Sequence, residues 1–502
     1  MTGESVDILI VGAGFAGLGM AIQLHQAGME SFLIVEKGGE LGGTWWYNRY
    51  PGCACDIPSH LYSFSFERNP DWSRMYAGQP EILAYLKTCA KRHGVEARVR
   101  LHTPLREARW DEARGVWRAV VGDGKAIDAR VLISGMGALH LPRFPELKGM
   151  ERFRGPAFHS AEWDAGAPLA GRRVAVIGTG ASAAQIVPAL APEAGRLYVF
   201  QRTPAWILPR FDYPIGERAR RWFRRVPALC RLVRWLLFWS LELRVGGFLK
   251  GGWQRRLGAG LARRHLEAQV PDPELRAALT PQYEFGCKRV LISSGFYPAL
   301  TRQNVELVTD AIAEVRENSI VTADGAERPV DAIVYSTGFR VTEMLAGTPI
   351  YGRGGVEIHD AWRERIAAYL GITVAGFPNF FLLLGPNTGL GHNSVVLMIE
   401  AQVRYVMSCL KLMRRSGAAA MDLKPERLRA FVAELRARLP RTVWESGGCR
   451  SWYQDSRTGE TPAVWPGSVV EYRRRTRKAS AADYDLKAPP AAESPAGSRP
   501  AA

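Results

Sequence analysis

Short apolar runs that end in glycine-rich turns recur along the chain, and each turn is followed by a segment with helical periodicity. The run Asp7–Val11 leads into Gly12–Gly17, and Val174–Ile177 leads into Gly178–Ala183 in the same way. A second apolar run follows each helix-like segment. Strands that alternate with helices in this way predict parallel sheets, so we expect an α/β fold.

The two glycine turns have the spacing of dinucleotide-binding loops at the end of a strand. Glycines there allow a tight turn and close approach of a pyrophosphate, and the helix N-terminus offers free N–H groups to the phosphates. The predicted fold class is therefore α/β with two Rossmann-like dinucleotide-binding domains. The predicted loop contacts are Gly12, Gly14, Phe15, Ala16 and Gly17 in the first copy, and Gly178, Thr179, Gly180, Ala181 and Ser182 in the second.

The residues that follow the two turns differ in charge. Glu36 stands nineteen positions after Gly17, where a carboxylate can hold a ribose diol of FAD or NAD. The second copy has Arg202 and Thr203 in the equivalent place, and arginine fits a 2′-phosphate through a forked contact. The sequence therefore predicts FAD in the first site and NADPH in the second, as in flavoprotein reductases and oxygenases.

Residues 215–284 have a different character, because they are helical in pattern and rich in arginine and tryptophan. Their most apolar stretch, Trp235–Trp239, lies between charged residues and is too short for a membrane span. One interpretation is a packed helical insertion that covers a site and lines an apolar cavity with Trp235–Trp239. The other is a basic amphipathic helix that contacts a membrane surface.

These patterns predict a division of the 502 residues into segments of different function. The length allows two to four domains, and the Ala/Pro/Ser-rich end has the composition of a disordered segment. The predicted segments are 1–140 and 331–475 as the two parts of the FAD domain, 141–214 and 285–330 as the NADPH domain, 215–284 as the helical insertion, and 479–502 as a disordered tail.

The composition narrows the classes of protein. The net charge is +17, but the positive charge is concentrated in Arg218–Arg264 and Arg473–Lys478 without a nucleic-acid motif, so no nucleic-acid partner is predicted. Seven cysteines without metal-ligand spacing predict no metal site and free thiols in a reducing compartment. Cys53 and Cys55 stand too close together for a helical redox pair. A strand pattern starts by Val6 without a basic segment before it, so we expect a cytoplasmic protein.

A longer motif lies between the two glycine turns. Phe153–Asp164 reads F-R-G-P-A-F-H-S-A-E-W-D, which resembles the fingerprint F-x-G-x-x-x-H-x-x-x-W-[P/D] of type I Baeyer–Villiger monooxygenases. Related N- and S-oxygenating flavin monooxygenases usually have another aromatic residue at its end. Within the motif, His159 lies in a linker, so a structural or domain-coupling role is expected for it.

Other segments similar to this family extend from about Val6 to Arg475. Ala183 replaces the third glycine of the second turn, which the motif tolerates, and Ser336 replaces the family's alanine. The chain is also shorter than some cyclic-ketone oxygenases and its helical insertion is more basic, and these departures leave substrate size and class open. The similar segments are Gly42–Trp45, Arg49–Gly52, Cys55–Ile57, Tyr62, Phe285–Arg289, Ser336–Phe339, Gly385–Thr388, Gly391–Ser394 and Ser451–Tyr453.

The resemblance implies an enzyme that inserts one atom of O₂ next to a ketone carbonyl through a C4a-peroxyflavin, giving an ester or lactone. Arg289 would be the catalytic cation, and Asp56 would orient it; alternatively, Arg289 contacts the 2′-phosphate and Asp56 is a general base or caps its loop. Lys288 would add a second charge at the 2′-phosphate. The other implied cofactor contacts are Thr44, Trp45, Asp56, Tyr62 and Trp452.

Several alternatives remain open on the sequence alone. The same cofactors could serve an N- or S-oxygenase or an NADPH oxidase, and the basic segments could belong to a membrane- or nucleic-acid-binding protein. The expected partners are O₂ and a small-molecule ketone or other apolar substrate. Long or acyclic ketones are preferred if Trp235–Trp239 line a cavity.

Overall fold

The computed structural model describes residues 4–249 and 251–488. Apolar runs form the strands, most of which are short. In chain order the strands are β1 (Glu4–Val11), β2 (Phe32–Val35), β3 (Val99–Arg100), β4 (Leu105–Asp111), β5 (Val116–Val121), β6 (Lys125–Ser134), β7 (Ala157–His159), β8 (Arg173–Ile177), β9 (Arg196–Phe200), β10 (Ile207–Leu208), β11 (Leu291–Ile292), β12 (Val305–Val308), β13 (Ile312–Val315), β14 (Ser319–Thr322), β15 (Glu327–Pro329), β16 (Ala332–Tyr335), β17 (Ile350–Tyr351), β18 (Phe380–Leu382), β19 (Ala420–Leu423) and β20 (Tyr484–Lys487).

The helices range from single turns to the long buried helix that packs beside the first glycine turn. Several begin with proline in the first turn, where the missing N–H costs no hydrogen bond. In chain order they are α1 (Phe15–Gln26), α2 (Thr44–Tyr47), α3 (Gln79–Arg92), α4 (Ala183–Leu190), α5 (Glu217–Arg225), α6 (Pro227–Glu242), α7 (Trp253–Gln269), α8 (Pro273–Ala278), α9 (Phe296–Leu300), α10 (Ile358–Ala361), α11 (Val395–Ser416), α12 (Pro425–Arg438), α13 (Val443–Ser446) and α14 (Val469–Arg475).

The first sheet joins the N-terminal segment to a later part of the chain. Its strand order is β17-β4-β5-β6-β1-β2-β3, and β18 pairs in parallel with β6. Strands β1 and β2 are parallel and in register from Ile8 with Phe32 to Val11 with Val35. Their carboxyl ends therefore lie at one edge of the sheet, where ligands bind in open α/β folds.

The second sheet has the order β12-β9-β8-β16-β7, and all its strands are parallel. The predicted α/β class is confirmed, and the second sheet is parallel as expected, whereas the first sheet is mixed because β5 pairs antiparallel with both β4 and β6. However, β16 (Ala332–Tyr335) pairs between β8 and β7, so the predicted boundary of this domain at 330 is placed too early. The apolar run of β16 resembles any buried strand, and only its pairing shows to which sheet it belongs.

The insertion at 215–284 consists of helices α5 to α8. Trp235 is 56% exposed and Trp239 38% exposed, so both face solvent. The expectation that Trp235–Trp239 line an extended apolar cavity is therefore wrong for these two tryptophans, and the preference for long or acyclic ketones loses their support. Within residues 4–249 and 251–488, none of the helices combines the length and apolar character needed to cross a bilayer.

The C-terminal end of the described chain is ordered, although 479–502 was predicted to be disordered. Strand β20 pairs antiparallel with β19, and the buried Tyr484 shares a hydrogen bond of 2.8 Å with the hydroxyl of Tyr405. The strand pairing of β20 and the burial of Tyr484 therefore order this segment, although its composition is typical of a disordered one. Residues 489–502 of the predicted tail lie outside the described residues.

A disulfide joins Cys287 and Cys449, which are 162 positions apart. The expectation that all seven cysteines are free is therefore wrong for this pair, since pairing at such a distance is set by the fold and not by spacing. Cys287 lies two positions before Arg289, and Cys449 lies three positions before Trp452. The bond thus links two segments that were predicted to contribute to the site.

We expect this disulfide to stabilise the protein by about 2–4 kcal/mol, because it closes a long loop in the unfolded chain. Thermal unfolding of the wild type should shift to lower temperature when dithiothreitol is added. The double variant Cys287→Ala, Cys449→Ala should unfold at that lower temperature with or without reductant. An equal shift of both proteins by dithiothreitol would contradict the assignment.

Candidate functional site

The first glycine turn has the geometry of a phosphate-binding loop. Gly12 has a φ of +98°, and a Cβ there would lie 2.8 Å from the carbonyl oxygen of Gly135. A Cβ on Gly17 would lie 1.8 Å from the carbonyl oxygen of Gly12, so α1 could not pack this close to the turn with any other residue. Gly14 is the residue that precedes α1. The loop therefore presents backbone and the N-terminus of a buried helix, which fits a pyrophosphate.

Glu36 follows directly after β2 and is 4% exposed. Its carboxylate accepts hydrogen bonds of 2.8 Å from the backbone N–H groups of Ala13 and Gly38, and a longer one from the hydroxyl of Tyr47. These contacts tie the end of β2 to the first glycine turn. They place the acid at the carboxyl edge of the sheet, as expected for a residue that holds a ribose diol.

Three aromatic side chains predicted to contact the flavin pack together. The rings of Phe15 and Tyr62 lie 5.1 Å apart, and those of Trp45 and Tyr62 lie 5.6 Å apart. The indole N–H of Trp45 donates to the hydroxyl of Tyr62 at 3.3 Å. Burial raises the pKa of Tyr62, so its hydroxyl stays neutral. Thr44 begins the short helix that carries Trp45.

Arg289 and Asp56 meet although 233 positions separate them. Nε of Arg289 donates to Oδ2 of Asp56 at 3.0 Å, and Nη2 donates to the same oxygen. The carboxylate raises the pKa of Arg289, with burial acting against it, so the guanidinium is a fixed cation at any working pH. Both side chains remain about 30% exposed, at 29% for Arg289 and 30% for Asp56. The pair is therefore both oriented and accessible.

Tyr453 is a neighbour of this pair. It belongs to the similar segment Ser451–Tyr453, but it was not among the predicted site residues. It is 1% exposed, and its hydroxyl has no hydrogen-bond partner among the described residues. Burial raises its pKa, and the charge of Arg289 opposes part of that rise. A buried hydroxyl without a partner beside a cation fits a site that receives a polar ligand group. Trp452, which is 41% exposed, has its ring 4.2 Å from that of Tyr453.

The second glycine turn carries two cations near it. Lys288 lies over the ring of Tyr283, with Nζ 4.9 Å from the centroid. Burial lowers the pKa of Lys288, and the charge of Arg202 lowers it further. Within the described part of the chain, no carboxylate relieves this repulsion. Two cations held close together are suited to a ligand with a concentrated negative charge, such as a phosphate.

The second glycine turn is hydrogen-bonded to the segment that carries Arg202 and Thr203. The hydroxyl of Thr179 donates to the carbonyl of Thr203 at 3.4 Å, which joins the glycine turn to the end of β9. Ser182 lies next to the start of α4. Gly180 borders open space, because no other atom lies within 4 Å of the position that a Cβ would take. The structure thus brings the predicted second-site residues together at one sheet edge.

Gln185 connects the two cofactor regions, and sequence reasoning missed it. It lies in α4 of the second glycine turn, and its amide exchanges hydrogen bonds with the backbone of Ala54, at 3.2 Å and 2.9 Å. The hydroxyl of Tyr50 also donates to it at 3.2 Å. The loop that carries Asp56 is therefore fixed to the helix of the second site. No local signal marks Gln185, because its partners lie more than 130 positions away.

His159 of the fingerprint is completely buried. Its Nδ1 accepts a hydrogen bond of 3.1 Å from the backbone N–H of Ala161, and its ring lies between those of Phe144 and Phe339 at 5.5 Å and 5.6 Å. Burial lowers its pKa to about 4, so the ring is neutral near pH 7. This environment fits the predicted structural or domain-coupling role and gives no path for acid–base chemistry.

A second polar cluster fixes the helical insertion to the sheet domains. Glu242 at the end of α6 is 4% exposed and accepts from the side chain of Asn393 at 2.8 Å and from the backbone N–H of Val470 at 2.9 Å. His392, which had no assigned role, lies 3.4 Å from it. Burial alone would raise the pKa of Glu242, but the hydrogen bonds outweigh it and lower the pKa. The glutamate is therefore an anionic anchor.

The close cysteine pair does not have the properties of a redox centre. Cys53 and Cys55 are both free and buried. Burial raises the pKa of Cys53 to about 12 and that of Cys55 well above the ordinary value. Reactive thiols have a lowered pKa instead. Burial therefore disfavours the thiolate form at both cysteines.

Comparison with known proteins places these features in a family. Residues 9–215 match the family model for pyridine nucleotide-disulphide oxidoreductases. A Baeyer–Villiger monooxygenase of Pseudomonas aeruginosa is 46% identical over 485 residues, which cover 97% of this chain and 92% of that protein.

Two solved structures resemble the whole fold. A closed crystal structure of cyclohexanone monooxygenase matches with a TM-score of 0.88 at 28% identity and covers 97% of this chain and 100% of that one. A crystal structure of the OTEMO complex with FAD and NADP matches with a TM-score of 0.84 at 30% identity and covers 94% of this chain and 97% of that one.

Proposed function

The chain belongs to the family of FAD- and NADPH-dependent Baeyer–Villiger monooxygenases, and from this premise we propose how its own residues act on a small-molecule ketone. The enzyme inserts one atom of O₂ next to the carbonyl and releases an ester or lactone. Bound FAD, reduced by NADPH, supplies the chemistry that activates O₂. The observation that carries the catalytic assignment is the pair Arg289 and Asp56, oriented and accessible beside the unpartnered hydroxyl of Tyr453.

Arg289 stabilises the negative charge that develops on the carbonyl oxygen during attack. Its pKa is raised above an already high value, so it acts as an electrostatic group and never as a proton donor. Asp56 is a positioning residue, because it holds Nε and Nη2 and leaves Nη1 for the reacting atoms. The alternative role of Asp56 as a general base is disfavoured by its engagement with the guanidinium.

The cofactors are held by the two glycine turns and the side chains near them. In the first site Glu36 binds the ribose of FAD, while Arg202 and Lys288 bind the 2′-phosphate of NADPH in the second. Trp452 covers the nicotinamide. The remaining proposed contacts are Gly12, Gly14, Phe15, Ala16, Gly17, Thr44, Trp45, Asp56 and Tyr62 for FAD, and Gly178, Thr179, Gly180, Ala181, Ser182 and Thr203 for NADPH.

The domain assignment and the location of the enzyme also remain proposals. We assign 1–140 and the part of 331–475 that follows β16 to the FAD domain. Residues 141–214 and 285–335 form the NADPH domain, whose boundary now includes β16. A cytoplasmic location stays a prediction. The disulfide between Cys287 and Cys449 weighs against it, because such bonds are rare in reducing compartments.

The reaction can be tested on the FAD-loaded enzyme with NADPH, ¹⁸O₂ and a mixed panel of linear and cyclic ketones together with one thioether. We expect one ¹⁸O atom in an ester or lactone, detected by mass spectrometry, and no such product when NADPH is omitted. Labelled sulfoxide with every ketone unchanged would contradict the ketone assignment and favour an N- or S-oxygenase. Peroxide as the sole product would favour an NADPH oxidase.

A further inference from the structure

One face of α6 is apolar and exposed to solvent. Leu232, Trp235, Leu236 and Trp239, followed by Leu243 just beyond the helix, recur at intervals of three or four residues and therefore form one stripe. Their exposed fractions run from 38% for Trp239 to 67% for Leu243. The opposite face of α6 also packs on the core, with Leu241 buried and Leu237 and Phe238 partly buried, so the helix is apolar on both faces and leaves one of them exposed.

Buried polar contacts hold α6 in this orientation. Arg234, on the inner side, donates to the backbone carbonyls of His60 and Leu61 at 2.9 Å and 3.1 Å. Glu242, at the end of the helix, is held by Asn393 and Val470 as described above. Turning the apolar stripe inward would break these hydrogen bonds and leave the backbone carbonyls of His60 and Leu61 without their donor. The exposed stripe is thus a consequence of the fold.

The apolar surface extends over the neighbouring helices of the insertion. Of the eighteen exposed large apolar residues in the described part of the chain, eleven lie between Trp222 and Leu261. In α7, Trp253, Leu257 and Leu261 repeat every four residues and are all more than half exposed. The short turn Leu243–Phe248 packs against both α6 and α7, so these apolar residues belong to connected elements.

The same region carries a strong positive charge. Residues 216–270 contain twelve arginines and one lysine against three glutamates, one of which is the buried Glu242. Exposed arginines flank the apolar residues; they include Arg218, Arg221 and Arg225 in α5 and Arg256 in α7. Tryptophan and leucine beside arginine on a helical surface are the combination that binds the interface of a bilayer with anionic lipids.

We propose that the exposed face of residues 217–249 and 251–264 is a docking surface for a bilayer that contains anionic phospholipid. The charge decides between occupants, because a second copy of this chain would bring the same positive surface into contact with itself. A bilayer surface accepts tryptophan and leucine at the depth of the headgroups while its phosphates pair with the arginines. This binding goes beyond the ketone oxidation and does not depend on it.

The test is flotation of the FAD-loaded enzyme with vesicles of phosphatidylcholine, with and without phosphatidylglycerol. We expect binding to the anionic vesicles that weakens as salt is added, and little binding to phosphatidylcholine alone. The variants Trp235→Ser with Trp239→Ser, and Arg218→Gln with Arg221→Gln and Arg225→Gln, should each weaken the partition at least about tenfold. Matched controls outside the surface are Val356→Ser and Arg415→Gln, which should bind as the wild type does.

All variants should keep the flavin absorbance and the thermal unfolding temperature of the wild type, which shows that they are folded. Failure to bind anionic vesicles, or equal binding by the surface variants and the wild type, would overturn the proposal. Dimerisation in light scattering that Trp235→Ser with Trp239→Ser abolishes would overturn it in favour of a second copy of the chain. None of these outcomes depends on whether a ketone or a thioether is the substrate.

Discussion

Replacing Arg289 with alanine should lower kcat for ester formation by about 10²–10³-fold or more, while FAD remains bound. The expected loss is large because we propose this guanidinium as the fixed cation next to the reacting atoms; it is held by the carboxylate of Asp56 and lies close to the buried hydroxyl of Tyr453. Flavin absorbance of the purified variant reports cofactor content, and mass spectrometry of the products reports the reaction.

Two further variants distinguish charge from orientation. Arg289→Lys keeps the positive charge but loses the fork that contacts Asp56, so it should recover only part of the activity. Asp56→Asn keeps Arg289 but loosens its orientation, and it should lower kcat more than it raises KM for the ketone. Ester formation at the wild-type rate by Arg289→Ala would remove the catalytic assignment. Loss of FAD from that variant would instead assign the residue to cofactor binding.

The second large effect is expected for Arg202→Ala and Lys288→Ala. Each should raise KM for NADPH by about 10–100-fold, since a charge-assisted contact is worth about 1.5–3 kcal/mol. KM for NADH should hardly change, because that cofactor has no 2′-phosphate. The preference for NADPH over NADH should therefore narrow, which steady-state kinetics with both cofactors measures.

A matched control is available in the same domain. Arg172 is also exposed, but it precedes β8 at the end of the strand opposite to the glycine turn. Arg172→Ala should leave both KM values unchanged. An unchanged cofactor preference in Arg202→Ala and Lys288→Ala would show that the 2′-phosphate is held elsewhere. In that case a different anion would have to relieve the repulsion between Arg202 and Lys288.

Much of the fold and part of the site could be predicted because their determinants are local. A glycine with a positive φ, such as Gly12, is required by the turn in which it lies. Glu36 and Arg202 follow their turns at distances set by one helix and one strand. The negative charge of Glu36 and the positive charge of Arg202 therefore indicate FAD and NADPH without any knowledge of tertiary contacts. Strand alternation likewise predicted the α/β class, because periodicity is a property of neighbouring residues.

Contacts between distant segments were the part that the sequence left open. Asp56 and Arg289 were both named from a resemblance, but their hydrogen bonds across 233 positions are visible only in the structure. Gln185 and the pairing of Cys287 with Cys449 had no local signal at all. The boundary after 330 was misplaced because the run that forms β16 fits either sheet equally well by composition.

The orientation of α6 shows the same division most clearly. The sequence by itself predicted a helical pattern across 215–284, and spacing alone determines which residues share a face of the helix at 227–242. Which face points outward was decided by the tertiary structure, through the partners that Arg234 and Glu242 find on other segments. The inner face buries Leu237, Phe238 and Leu241 together with those polar partners, so it gains both apolar burial and hydrogen bonds, while the face of Trp235 has no such partners among the described residues and stays outside.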